Sequence, residues 1–592
     1  MKHIKAILAI FILLSVSFSC KKPGDFLEKA PGVDVTEDLV FSSRVNAEAY
    51  VSTLYQFGMP SIFPQRDAAI ISNPANNVSI TIQGTLSGAT DECENEANFS
   101  YVQQWNSGSI TNVDIIRQED NKYFGRWKTI RIANILLERI DEVPDADASF
   151  KKQVKGEAYF IRALTNFETF KRYGGIPLVM ERFKTSAEAV APRATLEETI
   201  NAIVKDCDDA VANLPSFYPA TQRGRATKMA ALALKSRTLL YAASPMFNTV
   251  TPYLSMADPA NNKLICYGNF DVNRWKRAAD AAKAVLDEAS FAGVELIDVP
   301  ANRDPTPANR SQGNYWVAWD VRDNAEIIIA DKTYPALGRF NWPWYNLIPR
   351  AMGSFWVANS VTHNFVRKYE NKSTGLPQTW DMAGGNDLVT KYNELDPRFK
   401  QSIGYNGGRW NANHPIIETY AGGRHEPLCF GGAWMLKHIP EAVENTSVVP
   451  AIALYRLNEF FLNYAEAVNE FQGPAAEAYT AVNRIRTRSG MPDLPGGLSQ
   501  SDFRTRVRNE RDIELAFEDH RFWDIRRWLI AEEDGVMKGP VYGIKVGRVN
   551  ATTFSYLPYV IETRVFTKRM YLHPYLLADV LKGNLIQNPG WE

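Results

Sequence analysis

The chain has 592 residues, of which 45% are hydrophobic and 22% charged, a composition typical of a folded globular protein and not of a disordered or fibrous one. Its 66 basic and 67 acidic side chains nearly cancel, so no overall positive field would attract nucleic acid or an anionic membrane surface. The five cysteines include no Cys-x-x-Cys pair, which disfavours a zinc ribbon, an iron–sulfur cluster or a dense disulfide framework.

The N-terminus has the pattern of an export signal. Basic residues precede an apolar run that is too short to remain as a membrane-spanning helix. Ser17 and Ser19 would suit ordinary signal peptidase and release a free protein, but the next residue, Cys20, is the one that bacterial lipoprotein pathways acylate. We expect a signal peptide over 1–19 and a lipidated tether over 20–30, so that the mature chain lies on a membrane without spanning it.

Helical periodicity recurs along the body, 31–592. Apolar residues such as Phe160, Leu164 and Phe167 repeat at spacings of three and four, which predicts helices with one buried stripe. Antiparallel helix pairs of this kind stack because no single pair covers its own apolar face. We therefore predict a mainly α, helical-repeat scaffold over about 40–290 and 451–530. The periodic segments are 126–140, 156–172, 195–213, 226–243, 274–289, 453–470 and 475–488.

The composition of the sequence changes over about 297–450. This stretch is rich in Gly, Pro, Asn and Trp, with a short β-like run at 327–329 and a turn signal at 406–408. Long loops in a compact protein are usually functional, so we expect an irregular elaboration that carries the binding surface. The C-terminal segment 531–592 is expected to pack back on the scaffold.

The segment 510–528 alternates Arg, Asp and Glu with large aromatic residues. It would suit either an Arg-based recognition patch or a buried salt-bridge network that joins helices. Guanidinium planes paired with carboxylates and packed on Trp523 and Trp528 require fixed positions, so the structural interpretation is favoured.

Aromatic residues in loops are the candidates for ligand binding. A sugar ring has one face of C–H groups and a rim of hydroxyls, so a site needs a flat aromatic ring beside carboxylates, amides or Arg. Any single aromatic residue could instead pack in the core. Three clusters qualify: Trp105 with Asn106 and Asp91; Tyr315 with Trp316 and Trp319; and Trp342 with Trp344 and Tyr345.

Metal and catalytic motifs are weak in this sequence. The acidic run at 91–96 would suit either Ca²⁺ or, by default, a solvated charged turn, and it lacks the spacing of a calcium loop. The histidines show no His-Glu-x-x-His spacing, and neither a Gly-x-Ser-x-Gly motif nor a phosphate-binding glycine loop is present. We predict no metal, no cofactor and no enzymatic activity.

Several motifs in order resemble the SusD/RagB family of outer-membrane lipoproteins. They include EAYFIRA at 157–163, YGGIPLV at 173–179, GRAT at 224–227, ASPMFN at 243–248, DPRF at 396–399, NYAEA at 463–467, VNRIRTRSG at 482–490, ERDIELAFE at 510–518, HRFWDIRRW at 520–528 and QNPGW at 587–591. The resemblance spans nearly the whole chain.

The resemblance implies about four tetratricopeptide-like helix pairs and a partner, the SusC-like TonB-dependent transporter of the outer membrane. It implies capture of nutrient glycan at the cell exterior, with ligand-binding aromatics at positions similar to Trp105, Trp316 and Trp342. A peptide-binding member of the same family remains an alternative, as do a glycan-degrading enzyme and a mainly structural lid on the transporter.

Overall fold

The computed structural model of the chain describes residues 36–60, 62, 85–98, 100–185, 188–332, 359–426, 429–439 and 452–592. Helices dominate this part of the chain. They are α1 (Glu37–Val40), α2 (Arg44–Gly58), α3 (Tyr101–Asn106), α4 (Ile115–Gln118), α5 (Tyr123–Arg139), α6 (Ala148–Tyr173), α7 (Leu196–Asn213), α8 (Lys228–Ala243), α9 (Asn273–Ala292), α10 (Asn314–Asp320), α11 (His363–Val366), α12 (Leu388–Glu394), α13 (Pro397–Ser402), α14 (Leu457–Gln472), α15 (Ala476–Arg488), α16 (Gln500–Glu514), α17 (Arg521–Arg527) and α18 (Leu577–Val580).

Local sequence explains where the long helices begin. Asp147, Thr227 and Ser499 each accept a hydrogen bond from the backbone N–H three residues ahead. At the start of α7, Thr195 and Glu198 bond to each other's backbone in a capping box. Such caps satisfy N–H groups that have no partner within the helix.

The long helices form the predicted stack. Successive helices from α5 to α9 pack in pairs, α14 packs on α9, and α15 and α16 pack on α14. Their buried stripes form one core that includes Phe160, Leu164 and Phe167, the residues whose spacing predicted it. The mainly α, repeat-like architecture expected from periodicity is therefore confirmed.

Short antiparallel strands accompany the helices. They are β1 (Cys93–Asn95), β2 (Ile327–Asp331), β3 (Asn359–Val361), β4 (Ile403–Tyr405), β5 (Ala433–Met435), β6 (Ile452–Arg456), β7 (Gly539–Arg548) and β8 (Phe554–Arg564). Strands β1, β3, β5 and β4 form one sheet in that order, whereas β2–β6 and β7–β8 form two-stranded ribbons. The ribbon of β2 and β6 ends where Asp331 pairs with Ile452.

A second core lies in the elaboration. Phe365, Trp380, Tyr392 and Trp434 are among its buried residues, and Tyr556 of β8 packs with them. The elaboration is thus built around an interior of its own, on elements of three to seven residues.

Buried ion pairs join this second core to the helical stack. Glu514, at the end of α16, accepts hydrogen bonds from Arg398 of α13 and Arg488 of α15. Glu510 pairs with Arg398 at 2.6 Å and with Arg486 at 2.8 Å. We call Arg398, Arg486, Arg488, Glu510 and Glu514 the ion-pair network. All five side chains are nearly inaccessible to solvent.

The structural interpretation of the charged segment 510–528 is confirmed. Its arginines bind carboxylates in the interior: Arg511 pairs with Asp524 at 2.7 Å, and Arg527 pairs with Glu466 at 2.6 Å. The indole Nε1 of Trp528 also donates to Glu466, at 2.8 Å. The segment is therefore a rigid joint between helices and not an exposed recognition patch.

Candidate functional site

A polar cavity of about 100 Å³ lies between the helical stack and the ribbon of β2 and β6. Helices α2, α5, α6 and α8 contribute to its walls, as does the segment 518–523. We call it the charged cavity, because Glu119, Lys122, Arg126, Glu168, Lys171, Arg172, Arg237, Asp331, Glu518 and Asp519 all line it.

Helix α6 supplies the central charges. Glu168, Lys171 and Arg172 share one side of the helix because their spacing is three and four residues. Glu168 lies 2.9 Å from Lys171 and 2.8 Å from Arg172. Burial would raise the pKa of Glu168, but the two cations outweigh that effect and lower it to about 2. Glu168 is therefore a carboxylate at neutral pH.

A second carboxylate of the charged cavity, that of Glu119, also binds Arg172. Arg172 donates two hydrogen bonds to it, at 2.8 and 2.6 Å, in the bidentate arrangement that fixes both side chains. His573 lies 2.7 Å from the same carboxylate, through Nε2. Burial lowers the pKa of His573 to about 4, so a neutral imidazole donates from Nε2 to Glu119.

Lys122 and Asp519 are less completely bonded. The ammonium group of Lys122 donates to the carbonyl oxygen of Met59, and burial lowers its pKa to about 8. Asp519 has a left-handed backbone with φ of 65°. Its Oδ1 has no hydrogen-bond partner within the ranges that the structure describes, and burial raises the pKa of its carboxyl to about 7. These two groups titrate closest to neutral pH in the charged cavity.

The charged cavity does not provide an aromatic platform. Trp523 lines it, but Lys171 lies 4.4 Å and Arg172 4.9 Å from its ring, and His573 stacks at 5.8 Å. Carboxylates and cations also balance among the lining residues that the structure describes. The geometry suits a hydrated polar interior and not stacking on a sugar ring.

Three lining residues of the charged cavity lie close in sequence to stretches outside the described residues. They are Ile62, Asp331 and Ile452, and the stretches are 63–84, 333–358 and 440–451. The predicted ligand residues Trp342, Trp344 and Tyr345 belong to the second of these stretches, and so lie outside the described residues.

The first predicted aromatic cluster is buried. Trp105 is 1% exposed, its indole Nε1 donates to the carbonyl of Gln118 at 2.8 Å, and the guanidinium of Arg526 lies 4.5 Å from its ring. Asn106 is also buried and donates to the carbonyl of Gly88 at 3.1 Å. The expectation that these side chains are exposed in a loop is wrong, because α3 directs them into the core.

The second predicted cluster is buried as well. Tyr315 and Trp316 are fully covered and Trp319 is 7% exposed, with the two indoles 4.3 Å apart. The hydroxyl of Tyr315 donates toward the carbonyls of Ile513 and Glu514, each at 3.1 Å. Exposure is again the wrong expectation, since Tyr315 packs on α16 and the guanidinium of Arg310 lies 4.1 Å from the ring of Trp316. Trp410 and Trp434, two other tryptophans of the elaboration, are likewise inaccessible.

The acidic run at 91–96 is not a solvated turn, which corrects the default interpretation. Asp91 is 1% exposed and accepts two hydrogen bonds from Arg521, both at 2.7 Å, while Lys368 lies 3.0 Å away. Glu94, in β1, pairs with Arg564 at 2.7 Å. Two members of the run, Asp91 and Glu94, are thus paired inside the protein with cations that are distant in sequence.

No cluster of His, Cys, Asp and Glu within the described ranges is placed to hold a metal ion. No helix in the described part of the chain combines the length and the apolar character needed to cross a membrane.

The charged residues of α6 in the cavity were not predicted as a site from sequence. A signal was present: the apolar residues of α6 are followed near its end by Glu168, Lys171 and Arg172, which share one side of the helix. Charges at such spacing on a buried helix indicate an internal polar site. Their partner Glu119 had no comparable signal, because it comes from a distant segment.

The architecture defines a helical-repeat protein with an irregular elaboration, and comparisons with known proteins identify the family. A model of the SusD family matches residues 330–591, and a SusD-like model described as starch-binding associating with outer membrane matches residues 26–240. The two matches together take in both the helical stack and the elaboration.

Curated relatives and solved structures agree. In Formosa agariphila, SusD-like protein P25 is 21% identical over 97% of this chain and 98% of its own, and SusD-like protein P38 is 25% identical over 70% and 73%. A SusD-like protein from Bacteroides fragilis is 24% identical, covers 95% of this chain and 100% of its own, and has a TM-score of 0.74. A laminarin binding SusD-like protein is 18% identical, with 93% and 100% coverage and a TM-score of 0.57.

The chain therefore belongs to the SusD/RagB family. Its mainly α fold with tetratricopeptide-like helix pairs is the fold of its structural neighbours. The description of the second family model supports association with the outer membrane.

Proposed function

We propose that this protein is an outer-membrane lipoprotein that captures oligosaccharide at the cell exterior and passes it to a SusC-like TonB-dependent transporter. The observation that carries the proposal is the match of SusD-family models to residues 26–240 and 330–591. The words starch-binding in one family description and laminarin binding in the name of a similar structure favour glycan as the ligand.

Fewer aromatic residues remain as candidates for the ligand-binding platform than the sequence suggested. A fully buried ring has no free face on which a sugar can stack, so Trp105, Tyr315, Trp316 and Trp319 are structural. The remaining candidates are Trp342, Trp344 and Tyr345. Trp342 and Trp344 alternate around Pro343, which would place both indoles on one face of an extended chain. Their segment follows β2, whose last residue, Asp331, lines the charged cavity.

The proposed role is binding without catalysis. Of the carboxylates in the charged cavity, Glu119 binds Arg172 and Glu168 binds Lys171. Neither of them is therefore a second free carboxylate beside Asp519, whose Oδ1 is unbonded within the described ranges. A glycosidase needs two carboxylates facing the scissile bond, one of them free to donate a proton. Incubation of the pure protein with mixed polysaccharides should therefore release no new reducing ends.

The test is a double substitution, Trp342→Ala with Trp344→Ala. Loss of both indoles should abolish retention on a glycan affinity gel, because it removes both flat apolar faces on which a sugar ring would stack. The melting temperature should stay nearly unchanged. Phe291→Ala is the matched control, because this side chain is 75% exposed at the end of α9. Unaltered retention of the double variant would show that Trp342 and Trp344 do not form the glycan-binding platform.

A further inference from the structure

A second cavity, of about 170 Å³, lies in the elaboration, between α12, α13 and the turn before Pro377. We call it the lysine pocket and define it by Lys372, Tyr392, Asn393, Leu395, Lys400 and Tyr405. Leu395 and both tyrosines belong to the second core, so this pocket is distinct from the charged cavity in the helical stack. A volume of this size is large enough for a small ring.

The aromatic wall of the lysine pocket is fixed by packing. Tyr392 stacks on Phe399 with ring centroids 5.1 Å apart, and Tyr405 lies 5.1 Å from Tyr392. Both tyrosines are buried in the second core. Burial raises the pKa of Tyr405 to about 12 and that of Tyr392 further, so both phenols stay neutral. The wall is therefore rigid, largely apolar and uncharged.

The rim of the pocket carries two ammonium groups. Lys372 lies 3.0 Å from Asp304, and Lys400 contacts the other oxygen of the same carboxylate. The lysine side chains are 31% and 19% exposed. Each ammonium group has three donors, so most of the donors on the two lysines remain for solvent or a ligand.

The backbone holds both lysines in place. The N–H of Lys372 donates to the carbonyl of Glu394 at 2.8 Å, which ties its turn to the end of α12. Lys400 lies on α13, whose N-cap is Asp396. Asp396 also lines the pocket, but it is bonded to Arg398 of the ion-pair network, at 2.6 Å. The two rim lysines thus share one carboxylate, that of Asp304, and exceed it by one positive charge.

We propose that the lysine pocket binds a single sugar unit that carries one anionic group, with the anion beside Lys372 and Lys400 and the sugar unit next to the atoms of Tyr392 and Tyr405 that line the cavity, without stacking on either ring. That the ligand is a sugar rests on the proposed function, whereas its charge follows from the rim. Ammonium groups act as point charges toward carboxylate and sulfate alike. A uronic acid and a sulfate ester are thus two sources of the same chemistry.

The test measures binding of galacturonate, glucose 6-sulfate and glucose to the purified full-length protein by ligand-detected NMR. We expect one or both anionic sugars to bind, with glucose at least about tenfold weaker, because a charge-assisted hydrogen bond contributes about 1.5–3 kcal/mol. If only one of the two anionic sugars binds, the result shows whether the pocket recognises a carboxylate or a sulfate ester. Equal affinity for glucose, or no binding of either anion, would overturn the proposal.

Two variants separate ligand binding from a structural role. Lys372→Gln with Lys400→Gln should weaken anion binding about tenfold or more. Asp304→Asn raises the rim charge and frees donors, so it should tighten binding about two- to fivefold. A purely structural carboxylate would give weaker binding in Asp304→Asn, and that result refutes the proposal. Lys276→Gln, in an exposed pair on α9, is the control.

The same measurement distinguishes this site from the proposed platform. Trp342→Ala with Trp344→Ala should lose gel retention and keep its affinity for galacturonate. One outcome would be that no variant changes gel retention while the lysine variants no longer bind galacturonate. That outcome would contradict the tryptophan platform and support the lysine pocket. If galacturonate affinity falls in the tryptophan variant and not in the lysine variant, the lysine pocket fails.

Discussion

At the scale of single residues, two adjacent carboxyl groups behave in opposite ways. Asp91 is bonded to Arg521 and Lys368, which outweigh burial and keep its pKa below the usual range. Glu92 is just as buried, but it accepts a hydrogen bond from the N–H of Phe517 at 3.0 Å, and burial raises its pKa to about 8. Glu92 is therefore protonated at neutral pH, whereas Asp91 is ionised.

The isosteric substitutions Asp91→Asn and Glu92→Gln should have opposite effects. Asp91→Asn leaves Arg521 buried with less neutralising charge and should cost about 3–5 kcal/mol. The folded protein binds the Glu92 proton more tightly than the unfolded chain, so that contribution to stability is present below about pH 4.5 and lost as pH rises toward 8. Glu92→Gln avoids this loss.

Thermal and urea unfolding at several pH values would test both substitutions. Glu92→Gln should match the wild type near pH 5 and exceed its stability increasingly up to about pH 8, by at most about 1.4 kcal/mol per pH unit. A constant difference between the two proteins over this range would contradict the assignment of a neutral Glu92.

At the scale of elements, the ion-pair network ties short helices of the elaboration to the long helices of the stack. Glu514 receives hydrogen bonds from Arg398 of α13 at 3.0 Å and from Asn458 of α14 at 2.7 Å, besides Arg488 of α15. Removing one member of such a buried set leaves the others desolvated and unpaired. The network explains how short elements are held in fixed positions.

Glu514→Gln should therefore destabilise the protein by about 3–5 kcal/mol, because the new amide places donors against the donors of Arg398 and Arg488. Urea denaturation followed by circular dichroism measures this change. Asp280→Asn, which breaks the exposed pair with Lys276 on α9, is the control and should leave the midpoint almost unchanged. An equally small effect of both substitutions would show that the network is not needed for stability.

At the scale of the whole molecule, the near-zero net charge gives no electrostatic attraction to a membrane. We propose that acyl chains on Cys20 attach the protein to the outer membrane, since each buried CH₂ contributes about 0.8 kcal/mol. The tether over 20–30 would then hold the body away from the lipid.

Cys20→Ala should move the protein from the membrane fraction to the soluble fraction of lysed cells. Cys266→Ala, at a buried cysteine in the body, should leave the distribution unchanged. Protease treatment of whole cells reports which side of the membrane the body faces, and we expect cleavage from outside. Persistence of the Cys20 variant in the membrane fraction would rule out the anchor.

The long helices and the nature of the charged segment were predictable from sequence. The 3.6-residue periodicity of Phe160, Leu164 and Phe167 reports one buried face directly, because each helix closes its own backbone hydrogen bonds. The alternation of arginine, carboxylate and tryptophan in 510–528 likewise implied fixed geometry, and Arg527 binds Glu466 as that implies.

The burial of loop aromatics was decided by tertiary structure alone. Trp105 is covered by Arg526, and Tyr315 by α16, through contacts between residues far apart in the chain. Likewise, Asp304 joins Lys372 and Lys400 into one rim only after the elaboration folds. Periodicity reports which face of an element is apolar, but whether a short loop turns inward depends on distant residues that local sequence does not encode.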